Sequence, residues 1–115
     1  SIDHDPVFAQ KTRDELALHG LSDWADVRVA ERRPSPYLDD EKQPIVWYGE
    51  DVVTSVPANI DLVIVDGPPS KDNALARYPA LPAVFGRLSA GANLVLDDAD
   101  RAEEQALQIK MVDHM

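Results

Sequence analysis

Apolar residues in this chain gather in short runs separated by longer stretches with a polar or helical pattern. The densest run, Ile60 to Pro69 (IDLVIVDGPP), has strand length, ends on Asp66, turns at Gly67 and is stopped by two prolines. A second run, Ala92 to Asp98 (ANLVLDD), repeats the design about thirty residues later and ends on Asp97 and Asp98. Strands buried in parallel sheets read as near-continuous apolar runs, and open α/β sheets place their chemistry at the carboxyl ends of the strands. The pattern therefore predicts three acids, Asp66, Asp97 and Asp98, at one edge of one sheet.

The remaining elements follow from local signals. Ile2 and Asp3 read as the end of a strand, and Asp5-Pro6 supplies an N-cap acid followed by a proline whose missing N–H costs nothing at the first helical position. A helix is expected to about His19, with Phe8, Thr12 and Leu16 facing the sheet, Gln10, Arg13 and Asp14 in water, and Gly20 as its stop. Leu21 to Asp26 reads as a turn, and Asp26 to Ala30 (DVRVA) alternates as a strand should. Arg33 to Pro44, with three prolines and an acidic stretch, is expected to be a long exposed loop. Ile45 to Tyr48 (IVWY) suits a short strand, and Gly49 to Asn59 a brief helical turn.

After Pro69, a polar loop is expected from Ser70 to Arg77, and Leu81, Val84, Phe85 and Leu88 at i, i+3, i+4 and i+7 predict a helix from Pro79 to Leu88. Ser89 to Gly91 turns the chain into the strand Ala92 to Leu96, and Asp100 with Glu103 has capping-box spacing for a third helix from about Arg101. Strands alternating with helices imply an α/β, Rossmann-like fold with a mostly parallel sheet and helices on both faces. Residues 1–115 read as a single partial domain, incomplete at both ends, since Ser1 opens inside a strand without an initiating Met.

Composition narrows the function classes. The 115 residues, 44% of them apolar, suffice for one core of ordinary size. A net charge of −10, from 21 acids against 11 bases, disfavours nucleic acid and anionic membranes as partners, because both need clustered Lys and Arg, and only Arg32 and Arg33 are adjacent. No apolar run approaches the roughly 18 residues that span a bilayer. The absence of cysteine removes disulfides, thiolate metal sites and cysteine nucleophiles, and fits a reducing, cytoplasmic setting. A small-molecule partner is the expectation that remains, with homo-oligomerisation left open.

Asp3, an acid ending an early strand, has the chemistry to accept hydrogen bonds from the two hydroxyls of a ribose. The structural alternative is that Asp3 and Asp5 simply favour the positive pole of the following helix. Three converging carboxylates on Asp66, Asp97 and Asp98 repel unless a cation neutralises them, a proton is shared or they splay into water; oxygen-only ligands favour Mg²⁺, Ca²⁺ or Mn²⁺. Turn formation and helix capping are the alternative for Asp97 and Asp98. Gly67 permits close approach of a ligand, and the polar Lys71, Arg77 and Tyr78 read chiefly as a solvated loop. Trp24, Trp47 and Tyr48 read as packing residues rather than a base-stacking platform.

Taken together, SIDHD followed by a helix, WYGEDVVTSVPANIDLVIVDGPP and RYPALPAVFGRLSAGANLVLDDADR resemble the class I S-adenosylmethionine-dependent methyltransferases, most nearly the small-molecule branch known as methyltransferase family 24. The resemblance spans nearly the whole chain and rests on the order and spacing of its motifs. It implies that Asp3 holds the ribose of the cofactor, that His4 lines the adenine pocket with Ala30 and Glu31 bordering it, and that Asp66 with Gly67 lies near the methionine part and the acceptor. The related catechol-type enzymes bind Mg²⁺ at positions that fall on Asp66, Asp97 and Asp98.

Two departures accompany the resemblance. Pro69 stands where the catechol-type enzymes carry a lysine base, and the glycine-rich turn after a first strand is missing. The resemblance implies methyl transfer from S-adenosylmethionine to an oxygen or nitrogen of a small acceptor, with Asp66 as the catalytic acid position. A dinucleotide-binding oxidoreductase, with Asp3 on the adenosine ribose of NAD, and a non-catalytic binding or dimerisation module are the competing expectations.

Overall fold

A computed structural model of the chain describes residues 1–69 and 75–97. The expected third helix, Lys71 and Asp98 lie outside those residues. The elements run β1 (Ile2–Asp3), α1 (Pro6–Leu18), β2 (Arg28–Val29), β3 (Arg32–Leu38), β4 (Pro44–Tyr48), α2 (Glu50–Val53), β5 (Ile60–Val65), α3 (Ala80–Val84), a 3-10 turn (Phe85–Arg87) and β6 (Leu88–Leu96). The result is a mixed α/β fold.

Helix α1 starts and stops as its sequence dictates. The Asp5 carboxylate accepts from the amides of Val7 (2.8 Å) and Phe8 (3.4 Å), two donors that the first helical turn otherwise leaves unpaired. At the other end Gly20 adopts φ +69°, its N–H reaches the Ala17 carbonyl (3.1 Å), and the Leu21 N–H reaches that of Leu16 (2.8 Å), a Schellman closure. The buried face differs from the expected one. Ala9 is fully buried and Leu16 partly so, whereas Phe8 and Thr12 are exposed. Arg13, one turn on from Ala9, is exposed as expected, yet its guanidinium donates twice to the Val27 carbonyl, through Nε (3.2 Å) and Nη2 (2.6 Å). A short apolar stripe thus leaves room for an arginine stem whose head satisfies a strand-end carbonyl.

The predicted loop at 33–44 is instead one arm of a β-hairpin. β3 and β4 pair antiparallel, with Arg32 opposite Tyr48 and Leu38 opposite Pro44, and the register breaks between Pro34 and Leu38, where Pro34 and Pro36 have no N–H to contribute. Proline is tolerated on such an edge. Asp39 closes the turn: its carboxylate accepts from the amides of Glu41 and Gln43, both at 2.9 Å, and Lys42 takes φ +64°.

Among the described residues the expected single sheet is three two-stranded ones. β1 pairs with β2 in parallel, β3 with β4 antiparallel, and β5 with β6 in parallel. β6 is longer than expected, because Leu88 to Gly91 extend it instead of forming a turn, and the helix expected from Pro79 to Leu88 is confined to one turn of α3 plus the 3-10 turn. Gly91, at φ +77°, bends the strand where the register against β5 shifts between Ile60 and Leu62. The core lies between the hairpin, α2, β5 and α3, and is made by Ile45, Trp47, Val53, Val65, Leu75, Ala80, Leu81 and Val84. Trp24, expected to pack, is 85% exposed. Among the described residues no helix is long and apolar enough to cross a membrane.

Candidate functional site

A cleft of about 760 Å³ separates β1 from β5. Ser1, Ile2, Asp3 and His4 form one side, Ile60 to Pro69 the other, and Trp47, Tyr48, Val53 and Val84 close it behind. Its volume falls in the range of small-molecule sites, roughly 300–1,000 Å³. Its length is apolar, with Leu62 and Ile64 both more than half exposed, and its polar groups gather at the carboxyl ends of the strands. Asp3 and His4 at the end of β1 and Asp66 and Gly67 after β5 line this same cleft, although about sixty residues separate the two groups.

Asp3 is held from behind. Its Oδ1 accepts the Asp5 amide at 2.9 Å and lies 3.8 Å from His4 Nδ1, which leaves Oδ2 without a hydrogen bond to any described residue. One oxygen fixes the carboxylate; the other is available to a ligand. Across the cleft, a β-carbon added to Gly67 would stand 2.7 Å from the Tyr48 hydroxyl, so only glycine lets the phenol reach the rim. Burial, then the Asp3 carboxylate, pushes the Tyr48 pKa above the ordinary tyrosine value, against the smaller opposing effects of Arg77 and Arg32. Tyr48 is therefore a neutral hydroxyl between two acids over the physiological range.

Arg77 sets the second rim. Expected in a solvated loop, it is 5% exposed and donates through Nε to the Pro68 carbonyl (3.0 Å), through Nη2 to that of Asp66 (3.3 Å) and through Nη1 to that of Asp97 (3.4 Å). A buried guanidinium needs such partners to offset its lost hydration. The signal available in sequence was slight: an arginine followed by Tyr78-Pro79 and the start of an apolar helix.

The other expected residues are placed as follows. The Asp97 amide donates to the Val65 carbonyl (2.9 Å), so Asp66 and Asp97 end neighbouring strands, yet Asp97 does not line the cleft. Among the described residues no group of three His, Asp or Glu could hold a metal ion, and Asp98 lies outside them. Ala30 is buried and donates its amide to the Asp3 carbonyl (2.9 Å), a strand contact rather than a cleft wall. Glu31 lines an adjoining depression with Arg32 and Val46 that shares His4 and Pro69 with the main cleft. Sequence reasoning missed Trp47 and Tyr48 as cleft residues.

Fold and site together define a mixed α/β domain with a ligand-sized cleft whose acidic rim lies at strand ends. No family model, curated protein or solved structure matches the chain.

Proposed function

We propose that this domain binds S-adenosylmethionine and serves methyl transfer to an oxygen or nitrogen of a small acceptor. The observation that carries this reading is the meeting of Asp3, His4, Asp66 and Gly67 in one cleft, since these are residues that the methyltransferase resemblance assigns to the cofactor. The residues fit a nucleoside: Asp3 Oδ2 is free to accept from ribose hydroxyls, and the His4 ring beside it offers a flat face. Gly67 presents bare backbone where a ligand approaches.

When bound, the cofactor would supply a sulfonium methyl whose carbon the acceptor's oxygen or nitrogen attacks in line, with S-adenosylhomocysteine leaving and the acceptor's proton passing to solvent. The chain's own contribution is to hold the two partners in that geometry and keep water from the rim, since positioning accounts for much of the rate in such a transfer. Asp66, at the end of β5, stands where it would orient the acceptor, and Arg77 fixes its backbone. Of the described residues expected to hold Mg²⁺, Asp66 lines the cleft and Asp97 does not, so no step of this proposal runs through a metal.

Calorimetric titration with S-adenosylhomocysteine, with and without Mg²⁺ and with NAD as the control, tests the reading. Micromolar binding of the homocysteine compound without binding of NAD is the expected result. Preference for NAD would move the assignment to a dinucleotide oxidoreductase, and failure to bind either would leave a non-catalytic module.

A further inference from the structure

Tyr48 lines the cleft, and its hydroxyl has no hydrogen-bond partner among the described residues. It is not sealed off: among those residues, the fully buried polar side-chain atom without a partner is Trp47 Nε1. Both ends of the side chain are fixed. The ring meets Trp47 edge-on, with centroids 5.3 Å apart and planes at 61°, and the oxygen stands over Gly67, 2.7 Å from where a β-carbon would be. A residue needed only to pack against Trp47 would be as well served by phenylalanine, which has no hydroxyl to desolvate.

The surroundings define what that hydroxyl can meet. Burial, then Asp3 and last Asp66 oppose its ionisation, against Arg77 and Arg32, so it offers an O–H and not a phenolate. Asp3, in the wall of the same cleft, keeps Oδ2 without a partner. The cleft thus presents one donor and one acceptor. A carboxylate or phosphate uses only the donor and is repelled by the acids, and an ammonium uses only the acceptor. An alcohol uses both, because a hydroxyl donates and accepts.

We propose that Tyr48 and Asp3 together read a ribose hydroxyl of a nucleoside bound in the cleft, which donates to Asp3 Oδ2 and accepts from the Tyr48 O–H. The assignment rests on the nucleoside reading of the cleft given above. It makes Tyr48 a specificity-determining residue. A ligand without that hydroxyl leaves phenol and carboxylate unpaired together, and sites built to bond a substrate hydroxyl reject such analogues strongly.

Tyr48→Phe keeps the ring and removes only the donor. Calorimetry compares the unsubstituted chain and this variant with S-adenosylhomocysteine and with its 2′-deoxy and 3′-deoxy analogues. The unsubstituted chain should prefer S-adenosylhomocysteine to one of the two analogues. Tyr48→Phe should bind S-adenosylhomocysteine about tenfold more weakly, as expected for the loss of one hydrogen bond, and its preference over that analogue should shrink by a similar factor. A second reading needs no variant: with tyrosine isotope-labelled at Cζ, the Tyr48 resonance of the unsubstituted chain should shift on binding S-adenosylhomocysteine and shift less with that analogue. Undiminished binding by Tyr48→Phe, an equal loss for all three ligands, or an unmoved Tyr48 resonance in the bound chain would overturn the donor role alone. Absence of calorimetric binding to the unsubstituted chain would overturn the nucleoside reading, and the donor role with it.

Discussion

The Tyr48 hydroxyl occupies the space that a side chain on Gly67 would need, 2.7 Å from the position of its β-carbon. Tyr48 ends β4 and Gly67 lies in the turn after β5, a strand of another sheet, so their contact ties the two together. Gly67→Ala is expected to destabilise the chain by about 1–2 kcal/mol, because the phenol must withdraw from the rim or the turn must shift. Tyr48→Phe, which removes the clashing oxygen, should recover part of that loss. Urea unfolding of the two single variants and the double variant checks the coupling; strictly additive losses would show that the contact does not matter.

Arg77 should be among the most sensitive positions outside the apolar core. Arg77→Ala leaves three carbonyls at the ends of β5 and β6 without their donor and should cost about 3 kcal/mol, a large share of the roughly 5–15 kcal/mol typical of a domain. Arg77→Lys should restore only part, because a single ammonium cannot reproduce the planar spread of a guanidinium. Denaturant midpoints of the two variants are the measurement.

The shielded phenol sets a limit at alkaline pH. The raised pKa means that the folded chain retains the Tyr48 proton while the unfolded chain releases it near 10. The stabilisation is fully present below that value and is lost as pH rises through the higher folded pKa. Titration of phenolate absorbance should show late-ionising tyrosine, with Tyr37 also delayed by burial and by Glu50, and Tyr48→Phe should remove one late step. Ionisation of Tyr48 near 10 would contradict its half-buried position beside Asp3.

The ends of α1 give the smallest and most local effects. Asp5→Ala, which removes the acceptor for Val7 and Phe8, should cost about 1 kcal/mol, and Gly20→Ala a similar amount through its positive φ alone, since no atom stands near its missing β-carbon. Thermal unfolding should show both losses, while Trp24→Phe, at an exposed site, should leave the midpoint within experimental scatter.

The sequence by itself determined the elements whose signals are local. Asp5, Pro6 and Gly20 set the limits of α1 through backbone groups within one turn of themselves, and the mostly β-branched apolar run Leu62–Val65 with Ile60 before it reads as a strand. It also placed Asp3 and Asp66 at strand ends, because an acid following such a run marks where the strand stops. Tertiary structure alone decided the rest. The pairing of the proline-bearing 32–38 segment with β4 depends on a partner that compensates for missing donors, and proline propensity read locally argues against it. The burial of Arg77 depends on three carbonyls brought together from two strands, and the placing of Trp47 and Tyr48 at the cleft depends on how the hairpin leans on β5. Local spacing fixes which residues share a face or an end; which of those faces and ends meet is set by packing between segments distant in the chain.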